Sequence, residues 1–139
     1  MKITPASLQI LNDLKVVISD NAKLKGFRDQ LTQSLTQEQI NGPVGQLLKA
    51  AVFVANQTGE DSEFWEAYRG GTLYKPCNKA QKMVDMGLPG LTCAEEEIAD
   101  IIIRALDMSE AYGVDIAKAV ATKIAFNASR PKLHGGKLA

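Results

Sequence analysis

Among the acids that stand three residues apart are two pairs on different stretches of the chain, Glu60 with Glu63 and Glu97 with Asp100. Residues three apart share one face of a helix. Two such helices packed together would gather four carboxylates around hard divalent cations, which take oxygen ligands. Chance supplies about two such pairs among 16 acids in 139 residues, so one pair carries no weight and two pairs on two helices carry more. The plain alternative is a set of solvated faces and salt bridges, with Arg104, four residues beyond Asp100, as the ready counter-ion. A di-iron site of the four-helix type needs Glu-x-x-His pairs, and the single histidine, His134, follows the last expected helix.

A second set is basic. Lys123 and Asn127 fall on the same helical stripe as Ile116 and Val120, and Arg130 follows on that side. Polar groups on an apolar stripe ask for a reason. One is a lysine snorkelling past a core edge beside an asparagine that caps a helix. The other is an ammonium, an amide and a guanidinium converging on phosphate oxygens.

The elements that must carry these residues read as helices. Apolar spacing predicts a first helix over about Pro5 to Lys25, and residues from Gly26 to Asn41 have no clear period. A second helix starts near Pro43 and runs to Arg69, where Gly70 and Gly71 stop it. Its core stripe is expected through Leu48, Val52 and Ala55, continuing through Gly59, Ser62 and Glu66 with Glu60 and Glu63 alongside. The segment from Gly70 to Leu91 reads as a long loop with a short helix around Lys79 to Val84. Thr92 and Glu95 match a capping box for a third helix that ends at Gly113. That helix is apolar nearly all round, so Asp100 is expected to be at least partly buried and in need of a cation. A fourth helix follows an Asp115 cap and ends before Pro131. The expected fold is therefore all-α, one bundle-like domain over residues 1–139.

Composition removes several classes. The apolar runs "AAVFVA" and "IIIRAL" fall far short of the roughly 20 residues that a bilayer requires, and no leader opens the chain, so a soluble cytoplasmic protein is expected. Cys77 and Cys93 with one histidine imply neither a disulfide framework nor a zinc site. A formal charge of +0 argues against binding a nucleic-acid polymer. Its distribution matters more. After Asp115 the 24 remaining residues hold five lysines and arginines and no acid, a tail suited to a polyphosphate.

Taken together, "GEDSEFWEA", "EEEIADIIIRALDM" and "KIAFNASRPKLHGGK" resemble the all-α nucleotide pyrophosphohydrolases of the MazG-like family, over about Leu47 to the C-terminus. The resemblance implies a four-helix-bundle-like MazG-type fold whose core is completed by a homodimer or homotetramer. It implies that Glu60, Glu63, Glu97 and Asp100 bind Mg²⁺, with Mn²⁺ as a substitute, and that Glu60 or Glu63 is the base. It assigns phosphate contacts to Lys123, Asn127 and Arg130, with His134 and Lys137 following them, and Lys123 stabilises the leaving group. The reaction implied is hydrolysis of a nucleoside triphosphate to monophosphate and pyrophosphate, with guanine nucleotides such as dGTP as the expected substrates. Trp65 is either core or a stacking partner for the base. Two other readings stand beside this one: a phosphoribosyl-ATP pyrophosphohydrolase, and a helical interaction module whose acidic faces are only solvated.

Overall fold

A computed structural model describes residues 4–26, 33 and 35–130. His134 and Lys137 lie outside the described residues. Within them the chain is all-helical, with no β-strand among the described residues. The helices are α1 (Pro5–Leu24), α2 (Gln37–Asn41), α3 (Pro43–Arg69), α4 (Ala80–Asp85), α5 (Cys93–Ala111) and α6 (Ile116–Ala128).

Local chemistry sets the boundaries. Thr4 Oγ1 accepts from the Ser7 amide to open α1, and Thr92 with Glu95 forms the reciprocal capping box that opens α5. Asp115 accepts from the Lys118 amide at 3.1 Å to open α6. α3 stops at Gly70, and Gly71 takes the left-handed φ of +64° that turns the chain away. The segment without a clear period supplies α2, set by a capping box between Thr36 and Gln39. Gly45 lets α2 approach the start of α3: a Cβ there would collide with the Ile40 and Gln39 carbonyl oxygens.

α5 is the centre of the fold, packed by α1 on one side and α3 on the other, while α6 packs along α1. The buried apolar side chains are few and mostly small, among them Ala22, Ala117, Leu106 and Phe53, whose ring meets Tyr112 at 6.0 Å. Polar ties close the far end. Lys49 Nζ donates to the Ala111 carbonyl at 2.6 Å and sits 4.4 Å over the Tyr112 ring, and Lys15 Nζ reaches the Val114 carbonyl at 2.8 Å.

The buried face of α3 is not the expected stripe. Gly45, Phe53 and Glu60 are buried, Lys49 and Gln57 are half-buried, and Leu48, Ala55, Ser62 and Glu66 are exposed. The reason is that α3 turns a partly polar face to α5, where Lys49 and Glu60 have partners. Its apolar stripe, with Val44 62% exposed, Leu47 70% and Val54 61%, is left uncovered. α5 departs from expectation in the same way, with Ile98, Ile102 and Ile103 exposed although the helix is apolar nearly all round. Among the described residues no helix is long and apolar enough to cross a membrane.

Candidate metal centre

Where α3 crosses the first turns of α5, three carboxylates converge. One oxygen each from Glu60, Glu63 and Glu97 lies within 4.8 Å of the other two. Glu60 and Glu97 are buried while Glu63 is exposed, so the group has a closed side and a side open to water. Spacing explains the first two: Glu60 and Glu63 are one helical turn apart on α3, and α5 brings Glu97 to them in its own second turn.

The charges in this group are unevenly compensated. Arg104 Nε donates to Glu60 Oε1 at 2.8 Å, so the guanidinium expected to pair with Asp100 along its own helix bonds across the helix interface. Glu97 Oε2 and Glu96 Oε1 are both buried without a hydrogen-bond partner among the described residues, but Glu96 Oε1 has the Lys79 ammonium 2.6 Å away as an ion pair. Burial pushes the Glu97 carboxyl above its ordinary range, and the charges of Glu63, Glu96, Asp100 and Glu60 push it further. A buried carboxylate oxygen with no donor, facing two other carboxylates, is stabilised by a proton or a cation. An all-oxygen donor set fits a hard divalent ion.

Glu96 has the opposite surroundings. Burial pushes its carboxyl up, but the Lys79 ammonium, with Nζ 2.6 Å from Oε1, and the Cys77 thiol outweigh burial and hold it below the usual range. Both donors come from the segment between α3 and α5, which is cross-linked to the start of α5. Cys77 N donates to the Leu91 carbonyl at 2.9 Å, Cys93 N to the Lys75 carbonyl at 3.0 Å and Ala94 N to the Leu73 carbonyl at 2.8 Å. The expected long loop is therefore a pinned element, with α4 starting one residue after Lys79.

Asp100 stands beside the trio, outside its 4.8 Å group. It is half-buried, and burial, then Glu60, then Glu96 push its carboxyl up against the pull of Lys79 and Arg104. The basic residues of α6 are elsewhere. Lys123, Asn127 and Arg130 are exposed instead of lying on an inward stripe, because α6 packs along α1 and its buried residue is Ala117. Lys123 lies 5.4 Å from the Phe126 ring and borders an open groove along α6 with Lys118 and Thr122. Trp65 is not core: it is 55% exposed and stacked on Tyr68 at 5.3 Å.

Two residues of this centre escaped the sequence reading. Glu96 sits in a run of three glutamates that have three different fates: Glu95 caps the helix, Glu96 takes the loop's cation and Glu97 joins the trio. Lys79 comes from a segment with no period to place it, and the signal for it was only the short helix expected there. Set against known protein families, characterised proteins and solved structures, the chain matches none of them.

Proposed function

We propose that the chain is a Mg²⁺-dependent nucleoside triphosphate pyrophosphohydrolase that releases a nucleoside monophosphate and pyrophosphate. The observation that carries the reading is the convergence of Glu60, Glu63 and Glu97 with a buried, partnerless oxygen on Glu97. These three, with Asp100 beside them, would hold the ion. Bound there, Mg²⁺ screens the charge of a polyphosphate and lowers the pKa of water. The residues divide the remaining work. Glu60, fixed by Arg104, orients the group from the closed side. Glu63 is exposed, so it is the member that can take a proton from an attacking water and pass it to solvent.

The MazG-like resemblance of "GEDSEFWEA", "EEEIADIIIRALDM" and "KIAFNASRPKLHGGK" supplies the direction of cleavage, and guanine nucleotides remain the expected substrates. A homo-oligomer belongs to the same reading, since the uncovered stripes of α3 and α5 are apolar surfaces that a second copy would bury. Their exposure also favours one other reading, a helical module that binds a partner protein.

The test is a panel of ribo- and deoxynucleoside triphosphates with Mg²⁺, products resolved by chromatography and pyrophosphate measured independently. Equimolar monophosphate and pyrophosphate support the reading. Diphosphate as the first product overturns the reaction class, and no turnover of any nucleotide leaves the module.

A further inference from the structure

We propose that Lys79 is a phosphate-binding residue of this centre, its ammonium held at the rim of the carboxylate group by Glu96 to receive an oxygen of a bound polyphosphate. The inference rests on the pyrophosphohydrolase reading and extends it to a residue outside the motifs that support it.

Glu60, Glu63, Glu96, Glu97 and Asp100 gather five carboxylates about one helix crossing, and among the described residues Arg104 and Lys79 form ion pairs with them. A polyphosphate cannot approach such a surface unless cations face it. Arg104 is bound to the buried Glu60. Of the described basic residues expected to meet the phosphates, Lys123 lies on α6, which packs along α1, and Arg130 follows just after that helix. Among the described residues Lys79 is the largely exposed cation paired with this group.

Its setting suits the task. Cys77 and Ala80 are buried on either side of Lys79 in sequence, and the Cys77 amide is bonded to the Leu91 carbonyl, so the backbone beneath it is fixed. Glu96 is buried, yet the Lys79 side chain it pairs with is 59% exposed. An ammonium has three N–H donors, and an ion pair with one carboxylate oxygen does not use them all. The hydrogen bond to Glu96 raises the Lys79 pKa, burial opposes it, and the charges of Glu96, Asp100 and Glu97 add to the rise, so the ammonium stays charged beside the acids expected to hold the metal. Burial of Glu96 by itself calls for a cation, and the exposure of the Lys79 side chain leaves that cation open to a further anion.

The experiment measures inorganic triphosphate binding by calorimetry in the presence of Mg²⁺, and Mn²⁺ binding alone by electron paramagnetic resonance. Lys79→Met is expected to weaken triphosphate binding roughly tenfold, the loss of one charge-assisted hydrogen bond. Mn²⁺ should bind at least as tightly, since a nearby positive charge has gone. Because Lys79→Met strands Glu96, the double variant Lys79→Gln/Glu96→Gln is measured too. It leaves net charge unchanged and two amides to pair, and the same roughly tenfold loss is expected. Triphosphate affinity at the wild-type level in the double variant overturns the proposal and leaves Lys79 as a counter-ion for Glu96. Failure of the parent reading looks different: wild-type protein would turn over no nucleotide, while triphosphate binding would still decide the role of Lys79.

Discussion

Glu96 and Glu97 are adjacent on α5 and buried alike, 7% and 9% exposed, yet their carboxyls are driven in opposite directions. Glu96 faces the pinned segment before α5 and receives an ammonium and a thiol. Glu97 faces α3 and meets only further acids in the trio. Desolvation is common to both, so the partner decides. On the Glu96 side the protein supplies its own counter-charge and the result is structure. On the Glu97 side the cation at the crossing, Arg104, goes to Glu60, and Glu97 Oε2 is left without a donor among the described residues, which is the condition a metal site sets.

Exchanging each glutamate for its amide should move the two sites in opposite directions. Glu97→Gln is expected to reduce Mg²⁺-dependent turnover by at least about a hundredfold, through loss of a metal ligand. It should also raise the melting temperature of the metal-free protein by roughly 3 °C, the shift that about 1 kcal/mol produces in a domain of this size. Glu96→Gln should lower that temperature, because an ammonium loses its charged partner, while Mn²⁺ binding survives. Calorimetry and metal titration on the two variants check both halves. Equal falls in stability would mean that the trio is only another salt-bridge network.

Asp100→Asn comes next. It lies beside the trio, so loss of its charge should weaken Mg²⁺-dependent turnover with helix content unchanged by circular dichroism. If Asp100 serves only as a partner for Arg104 or Lys79, the variant keeps its activity and loses stability.

How much of this was legible in the sequence depends on the kind of signal. Caps and stops are local, and the Thr92–Glu95 box, the Asp115 cap and the Gly70–Gly71 stop place α3, α5 and α6 as the structure has them. The all-α class follows from them. The inward face of α3 was not legible, because it includes the buried Glu60 and the half-buried Lys49, whose partners lie on α5 or just beyond it, and the half-buried Gln57. Apolar spacing instead picked out Leu48, Val52 and Ala55, of which Val52 is half-buried and the other two are exposed, as is the bare stripe of Val44, Leu47 and Val54. The acidic pairs were visible as spacing, but nothing in "EEE" says that the second glutamate takes a lysine from a loop. The outward position of Lys123 on α6 depends on which helix α6 packs against, a tertiary fact.

That bare stripe gives a prediction of smaller effect on the centre itself. Leu47→Lys combined with Val54→Lys puts charge on the uncovered face of α3, away from the trio. Light scattering should show an oligomer in the wild type and a monomer in the variant, with Mn²⁺ affinity within a few-fold of wild type if each chain's trio is complete by itself. A wild-type monomer at micromolar concentration would remove the second copy from the proposal.

The smallest effect is the pH dependence of the metal-free protein, which tests the two glutamates without mutation. Glu97 and Asp100 have raised pKa values in the fold, so their ionised forms cost stability above those values, and the cost is relieved as pH falls through them toward the unfolded values of 4.5 and 3.8. Glu96 has a lowered pKa. Its contribution is fully present above 4.5 and is lost only as pH falls through the lower, folded value. Glu95 and Asp115, lowered by their capping hydrogen bonds, follow the same rule as Glu96. Stability should therefore rise slightly on acidification from neutral pH toward the ordinary carboxylate range, then fall below it. Saturating Mg²⁺ should remove the rise, because the ion favours the ionised carboxylates that the proton would otherwise neutralise. Melting curves in a pH series, with and without Mg²⁺, read this directly. A metal-free curve that only falls on acidification would mean that Glu97 has found a donor in solution, and the contrast with Glu96 would be lost.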